Sequence, residues 1–234
     1  MALHYLIWKG TNSRTKYIRV RNRMPIIQPQ ERVNHITIPG REGELTQVEG
    51  EHIYEPYIQT AQVTVIGAEH VPEAEAWLSG DGDVTFDSQP ALKQAARVIN
   101  AVTFSKLSRN LDLWQGDVQF YCQPIKYPVE QEDIEVTSSG TALTNPGTLP
   151  AFPVMEITGS GIVTISIGGK TLIIPECVSG WKVDCRNKWI LNANGVPQFN
   201  AWQGEFPQIP TGNSSISFTG SVTKIKITPN WRTK

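Results

Sequence analysis

Cysteine is scarce in this chain, and no long apolar run, histidine cluster or excess of charge makes up for it. The three cysteines, Cys122, Cys177 and Cys185, form an odd set without metal-ligand spacing. That pattern fits synthesis in a reducing cytosol, and it favours buried free thiols over a Cys177 to Cys185 bridge. No stretch approaches the roughly 18 apolar residues of a membrane span, so no membrane partner is expected. The first nine residues, MALHYLIWK, lack a charged region followed by a long apolar one, which excludes a secretory signal. Lys and Arg number 21 against 22 Asp and Glu, a net charge of -1. Such a balance leaves no electrostatic footprint for gripping nucleic acid or an anionic membrane. With 39% hydrophobic and 18% charged residues, the 234-residue chain is suited to a folded protein of one or two domains.

Catalytic signatures are equally thin. His4, His35, His52 and His70 are scattered without the fixed spacing of a zinc or iron site. There is no GxSxG elbow, and no cysteine sits in a recognisable Cys/His context. Gly80-Asp81-Gly82-Asp83 resembles a fragment of a calcium loop, but alternate positions give Asp81, Asp83, Thr85 and Asp87, and the twelfth position is Leu92 rather than Glu. A tight turn is the better reading. Nothing selects a pair of carboxylates for glycoside hydrolysis. No catalytic, cofactor-binding or metal-binding residue is therefore predicted, and a glycoside-acting enzyme ranks last among the functions considered. Seven tryptophans are present, Trp181, Trp189 and Trp202 among them in the C-terminal half. Core packing or subunit contact comes before sugar binding as their role.

What the chain does have is alternation. Gln62 to Val65, Asp117 to Cys122 and Val163 to Ile167 place apolar residues at every second position, the period of a half-buried strand. Gly168-Gly169 then separates Val163–Ile167 from Lys170 to Ile174, which predicts a two-residue β-hairpin. Val222 to Thr228 alternates again before Pro229. A helix is predicted over Val71 to Gly80, with Pro72 in its first turn, acids beside its positive end and glycine at its stop. A second short helical turn is assigned to Pro90 to Val98. The fold class is thus all-β with one or two short helices. The polar, turn-rich sequence from Glu130 to Pro153 divides it into a domain over residues 1–132, a connecting segment over 133–150, part of which can pair as a strand, and a second domain over 151–234. The proline- and glycine-rich stretch Met24 to Pro56 is longer than a compact domain requires and reads as an outward-reaching, functional arm.

Less ordinary strings follow one another along the chain: Ile38-Pro39-Gly40-Arg41-Glu42-Gly43, Trp77-Leu78-Ser79-Gly80, Phe120-Tyr121-Cys122-Gln123-Pro124, Asn145-Pro146-Gly147-Thr148 with Ala151-Phe152-Pro153, Gly159-Ser160-Gly161, Val183-Asp184, and Phe206-Pro207-Gln208-Ile209-Pro210-Thr211-Gly212-Asn213. In this order they resemble the distal tail protein family of siphophages and prophages. The resemblance implies an N-terminal β-sandwich that assembles into a homo-hexameric ring and a C-terminal galectin-like β-sandwich. It also implies a virion structural protein at the tail tip, a baseplate hub whose axial channel passes DNA without specific binding. Expected partners are the chain itself, the tail tube protein, the tail-associated tip, fibre or lysin protein, and a receptor-binding protein. The protein would be made in the bacterial cytoplasm, without a signal peptide, and act in the virion tail. At 234 residues there is no room for the carbohydrate-binding insertions of larger relatives.

In such a ring, Arg32, Arg41, Glu42, Glu44 and Glu49 of the arm form the candidate assembly interface. A head-to-tail contact repeats, so each subunit offers both members of a charge pair. The alternative function is a carbohydrate-binding β-sandwich module that recognises host cell-wall polysaccharide.

Overall fold

A computed structural model describes residues 4–199 and 201–234. Met1 to Leu3, the start of the stretch read for a signal, lie outside the described residues. The chain divides into two compact units, Met1–Val129 with Lys234, and Glu130–Thr233. Both are antiparallel β and sandwich-like.

In the first unit the strands run in the order Thr11–Asn12, Leu6–Trp8, Asp81–Phe86, Leu92–Val98, Leu113–Cys122, Tyr57–Ile66 and Ile18–Val20. The ten-residue strands Leu113–Cys122 and Tyr57–Ile66 pair along their whole length, Leu113 opposite Ile66 and Cys122 opposite Tyr57. Alternation decides which side chains go in: Ala61, Val63 and Val65 from one strand and Val118, Phe120 and Cys122 from the other are fully buried. Trp8 and Phe86 meet the edge of Phe120, with ring centroids 5.2 and 5.9 Å apart. The α-helix Val71–Trp77 has Pro72 in its first turn, as expected, and closes this core with Ala74, followed by Leu78. It stops short of the predicted Gly80. Leu78, Ser79 and Gly80, the last with positive φ, make the turn, and Asp81 already opens a strand and pairs with Arg97 at 3.5 Å.

The second helical turn is not there. Pro90 sits in a turn closed by Leu92 N donating to Gln89 O, and Leu92–Val98 is a strand. It pairs with Asp81–Phe86 on one side and with Phe120, Tyr121 and Cys122 on the other. Gln94 and Ala96 point inward. Helix-favouring residues there are overridden by the two ladders that flank them.

The second unit is organised by two long strands, Val154–Ile167 and Gly212–Thr228, which pair with each other. Each changes its outer partner partway. Val154–Ile167 pairs first with Trp181–Asp184 and then with Lys170–Cys177. Gly212–Thr228 pairs first with Thr141–Asn145 and then with Ile134–Val136. The switch falls where the register shifts, around Gly159 to Thr164. Strands that leave one layer for another do so at such bulges. Gly220 makes the crossing possible: its φ is +105°, and a Cβ there would lie 2.1 Å from the Ile162 carbonyl oxygen. The predicted hairpin is present, with Ile167 opposite Lys170 and positive φ at both Gly168 and Gly169. Val163, Ile165, Ile167, Leu172, Ile174, Ile225 and Ile227 fill the core. Residues 133–150, expected as a connection, carry two strands of this sheet. Their Ser/Gly/Thr content marks the short turn between those strands rather than a linker.

All three thiols are free and buried. Burial pushes Cys122 and Cys185 up to about 12 and Cys177 up to about 11. It does the same to Tyr57, up to about 12, where a nearby Cys122 adds to the shift. For a group whose folded pKa is raised, stability is complete below the unfolded value and is lost as pH rises through the folded one. The buried Lys126, pushed down mainly by burial, acts in the opposite sense, one group against four. The denaturant midpoint should therefore hold steady to about pH 8, near the lower edge of unfolded cysteine ionisation, and fall as pH rises further toward 12. At pH 8 a chromogenic disulfide reagent should leave the native thiols unmodified and titrate all three after guanidinium unfolding. Rapid labelling of the native protein would contradict the burial.

Candidate assembly interface

Met24 to Pro56 is a β-hairpin with a long root. Its strands, Val33–Thr37 and Glu44–Val48, pair from Val33 opposite Val48 to Thr37 opposite Glu44, and form a two-stranded sheet of their own. The ladder extends inward through Arg32 N to Ile53 O and Glu55 N to Gln30 O. Pro39-Gly40-Arg41-Glu42-Gly43 shapes the tip, where Arg41 N donates to Ile38 O at 3.1 Å.

Neither face of this hairpin is covered by its own unit. Asn34 to Thr37 and Glu44 to Val48 are all exposed. Ile36 and Leu45, directly opposite one another, are 41% and 42% exposed, and Ile38, Val48 and Ile53 are also exposed. A lone two-stranded hairpin is marginally stable in water, and aliphatic side chains grouped on one stand as an incomplete contact.

The five charged residues expected at an interface lie on this hairpin, but they do different work. Arg32 donates from Nε to Glu55 at 2.7 Å and lies 4.0 Å from Glu49. The hydrogen bond from Arg32 to Glu55, and then their opposite charges, raise the Arg32 pKa above its ordinary value. Glu49 also accepts from Asn34 at 2.6 Å, and Glu44 lies 3.4 Å from His35 Nδ1. Arg32, Glu44 and Glu49 thus brace the hairpin itself. Arg41 and Glu42 stand at the tip, exposed, and form no ion pair among the described residues. Exposed pairs of this kind contribute little to stability.

What holds the arm in place was missed by the sequence reading. Met24 is buried in the core of the first unit. Gln59 donates from Nε2 to the Pro25 carbonyl at 2.8 Å. Lys126, nearly inaccessible, donates from Nζ to Gln89 Oε1 at 2.9 Å and to the Ile27 carbonyl at 3.3 Å. Tyr57 OH donates to Gln94 Oε1 at 2.8 Å beside them. A signal was available: Gln59 occupies the same inward register as Ala61, Val63 and Val65, and a polar residue on an apolar face asks for a partner.

Among the described residues no three of His, Cys, Asp and Glu gather as metal ligands. Asp83 pairs with Lys93 at 3.5 Å. Of the tryptophans singled out above, Trp181 and Trp202 pack half-buried against the second core and Trp189 is exposed.

Replacing Gln59, itself nearly inaccessible, with Leu should break its hydrogen bond to the Pro25 carbonyl and destabilise the protein by about 0.5 to 1.5 kcal/mol in a denaturant titration. Hydrogen exchange of the arm amides should speed up more than that of Val163 to Ile167. Equal protection of the arm in variant and parent would mean that Gln59 does not anchor it.

No family model matches the chain, and no curated protein matches it. Among solved structures it is similar to the crystal structure of the SPP1 Dit (gp 19.1) protein, described as a paradigm of the hub adsorption apparatus in phages that infect Gram-positive bacteria. The TM-score is 0.75 at 18% identity, over 97% of this chain and 98% of that one. From end to end, then, this chain has the all-β fold of SPP1 Dit, in agreement with the distal tail protein resemblance of its sequence.

Proposed function

We propose that the protein is a structural, non-enzymatic subunit of a phage tail tip, a distal tail protein that closes into a homo-hexameric ring. The fold shared with SPP1 Dit over nearly the whole of both chains carries this reading. The ring joins the tail tube protein on one side to the tail-associated tip, fibre or lysin protein on the other, and offers a mount for a receptor-binding protein. DNA passes through its centre. A chain of net charge -1 suits a channel that must not hold its cargo.

The arm supplies the contact between neighbouring subunits. Its aliphatic residues, Ile36 and Leu45 first, are laid against the next copy, and Arg41 and Glu42 find their partners there. In a closed ring each subunit both gives and receives the arm, so one weakened contact is repeated at every interface. The three inner charges brace the hairpin so that it arrives in one shape, which lowers the ordering cost of assembly.

Light scattering of the full chain at several concentrations, with negative-stain imaging, should give a six-membered ring. A monomer at all concentrations and in images would end the hub reading. Ile36→Asp with Leu45→Asp should abolish the ring while leaving circular dichroism unchanged. Arg41→Ala with Glu42→Ala should weaken it by roughly 2 to 5 kcal/mol per interface where a desolvated pair is broken. Unaltered assembly in both variants, with folding intact, would move the interface away from the arm and toward the sheet edges.

A further inference from the structure

The second unit carries exposed side chains of a different kind. Trp189 opens a short strand, Trp189–Leu191, and is 52% exposed; Phe199, ten residues on, is 81% exposed. The loop between them is a bonded structure. Asn192 Oδ1 accepts from Asn194 N and Val196 N at 2.9 and 3.0 Å, Asn192 N donates to Val196 O, and Gln198 N donates to Ile190 O at 2.7 Å. Two large rings are thus held in water by a loop that folds back on its own strand. With Pro197, Gln198 and Trp202 they line a cleft of about 250 Å³.

A second cleft adjoins it. Trp202 and Lys188 line both, and the neighbour, about 540 Å³, adds Phe152, Arg186, Lys170 and Gln208. Trp202 is fixed edge-on to Phe206, ring centroids 4.7 Å apart, so the wall between the clefts is itself an aromatic ring set by packing. The charges along the groove are Lys170, Arg186 and Lys188 against Glu205, which lies 3.8 Å from Lys170. On a chain whose net charge is -1, this groove is locally cationic.

We infer that this groove binds an acidic polysaccharide, one whose sugar units carry carboxylate or phosphate. A pyranose ring has an apolar face of C–H bonds that stacks on an aromatic ring, and hydroxyls at its rim that need amide partners such as Gln198 and Gln208. Repeating sugars suit an open groove with rings placed along it, and anionic sugars suit its excess of ammonium and guanidinium groups. A protein partner would ask for a drier and less charged floor. The larger cleft falls in the range of small-molecule sites, and the smaller lies just below it.

The inference stands apart from the ring, because glycan binding and assembly mass are read separately. Isothermal titration of the full chain with galacturonate oligomers, their methyl esters, a phosphate-bearing mannan and poly-glutamate tests it. At least one acidic glycan should bind about tenfold or more tighter than the neutral ester, and poly-glutamate should bind about tenfold or more weaker than that glycan. Phe199→Ala and Trp189→Ala, at exposed positions where folding is not at stake, should each weaken binding by about tenfold, and Lys188→Glu by as much again. Silence with both acidic glycans overturns the inference, as does equal binding of acid and ester, equal binding of poly-glutamate, or indifference to all three substitutions.

Discussion

A hairpin whose two faces both meet water has only its backbone ladder to hold it straight, so everything the arm does depends on how its root is fixed. Here the root is fixed by burial. Met24 enters the core, and the next carbonyls along the chain, Pro25 and Ile27, are taken by Gln59 and Lys126 from inside the sandwich. Gln59 and Lys126 are themselves buried, and buried donors without acceptors are costly, so the first residues of the arm cannot shift register without a penalty. Farther out, the Arg32 pairing with Glu55 and Glu49 ties one strand to the other. Direction is set by the core, and shape by the ladder and its side-chain pairs.

The same end of the sandwich explains why polar residues sit where alternation calls for apolar ones. Gln59, Gln94 and Lys126 are all nearly inaccessible. A buried ammonium with only neutral acceptors is an unfavourable choice, and the lowered Lys126 pKa reflects it. An apolar residue there would leave the Ile27 carbonyl and the Gln89 side chain unmet. The polar cluster therefore gives up some stability for a defined exit of the arm from the sheet. Local rules are commonly broken at sites of this kind.

Much of the fold was legible because a buried face and an alternating sequence are the same fact. Ala61, Val63 and Val65 follow from it, while the Gly168-Gly169 turn, the Pro72 helix and the stop at Pro229 follow from the backbone limits of glycine and proline. Leu92–Val98 was misread because Lys93, Gln94, Ala95, Ala96 and Arg97 favour a helix locally, while two flanking strands supply the ladder that decides the matter. The arm strands were invisible for the opposite reason. With both faces in solvent, Asn34, His35, Thr46 and Gln47 leave no apolar stripe to detect. As for the candidate interface, its charged residues were legible and their sorting was not. That Arg32, Glu44 and Glu49 close on their own hairpin while Arg41 and Glu42 stay at the tip depends on cross-strand register, which composition does not give.

Exposure itself takes two chemical forms in this chain, and the difference carries information. On the arm it is aliphatic: Ile36, Ile38, Leu45, Val48 and Ile53. Branched aliphatic side chains offer nothing to a polar ligand, and they lose contact with water to advantage only against another apolar surface. The second unit exposes Ile162, Val178 and Val196 as well, but it adds aromatic rings, Trp189 and Phe199, beside lysines and glutamines. An aromatic ring has a flat face and a quadrupole, so it can hold a ligand that stays partly wet. If the arm makes the subunit contact proposed above, the first kind of side chain is covered on assembly, while the second can hold a ligand that stays partly in water.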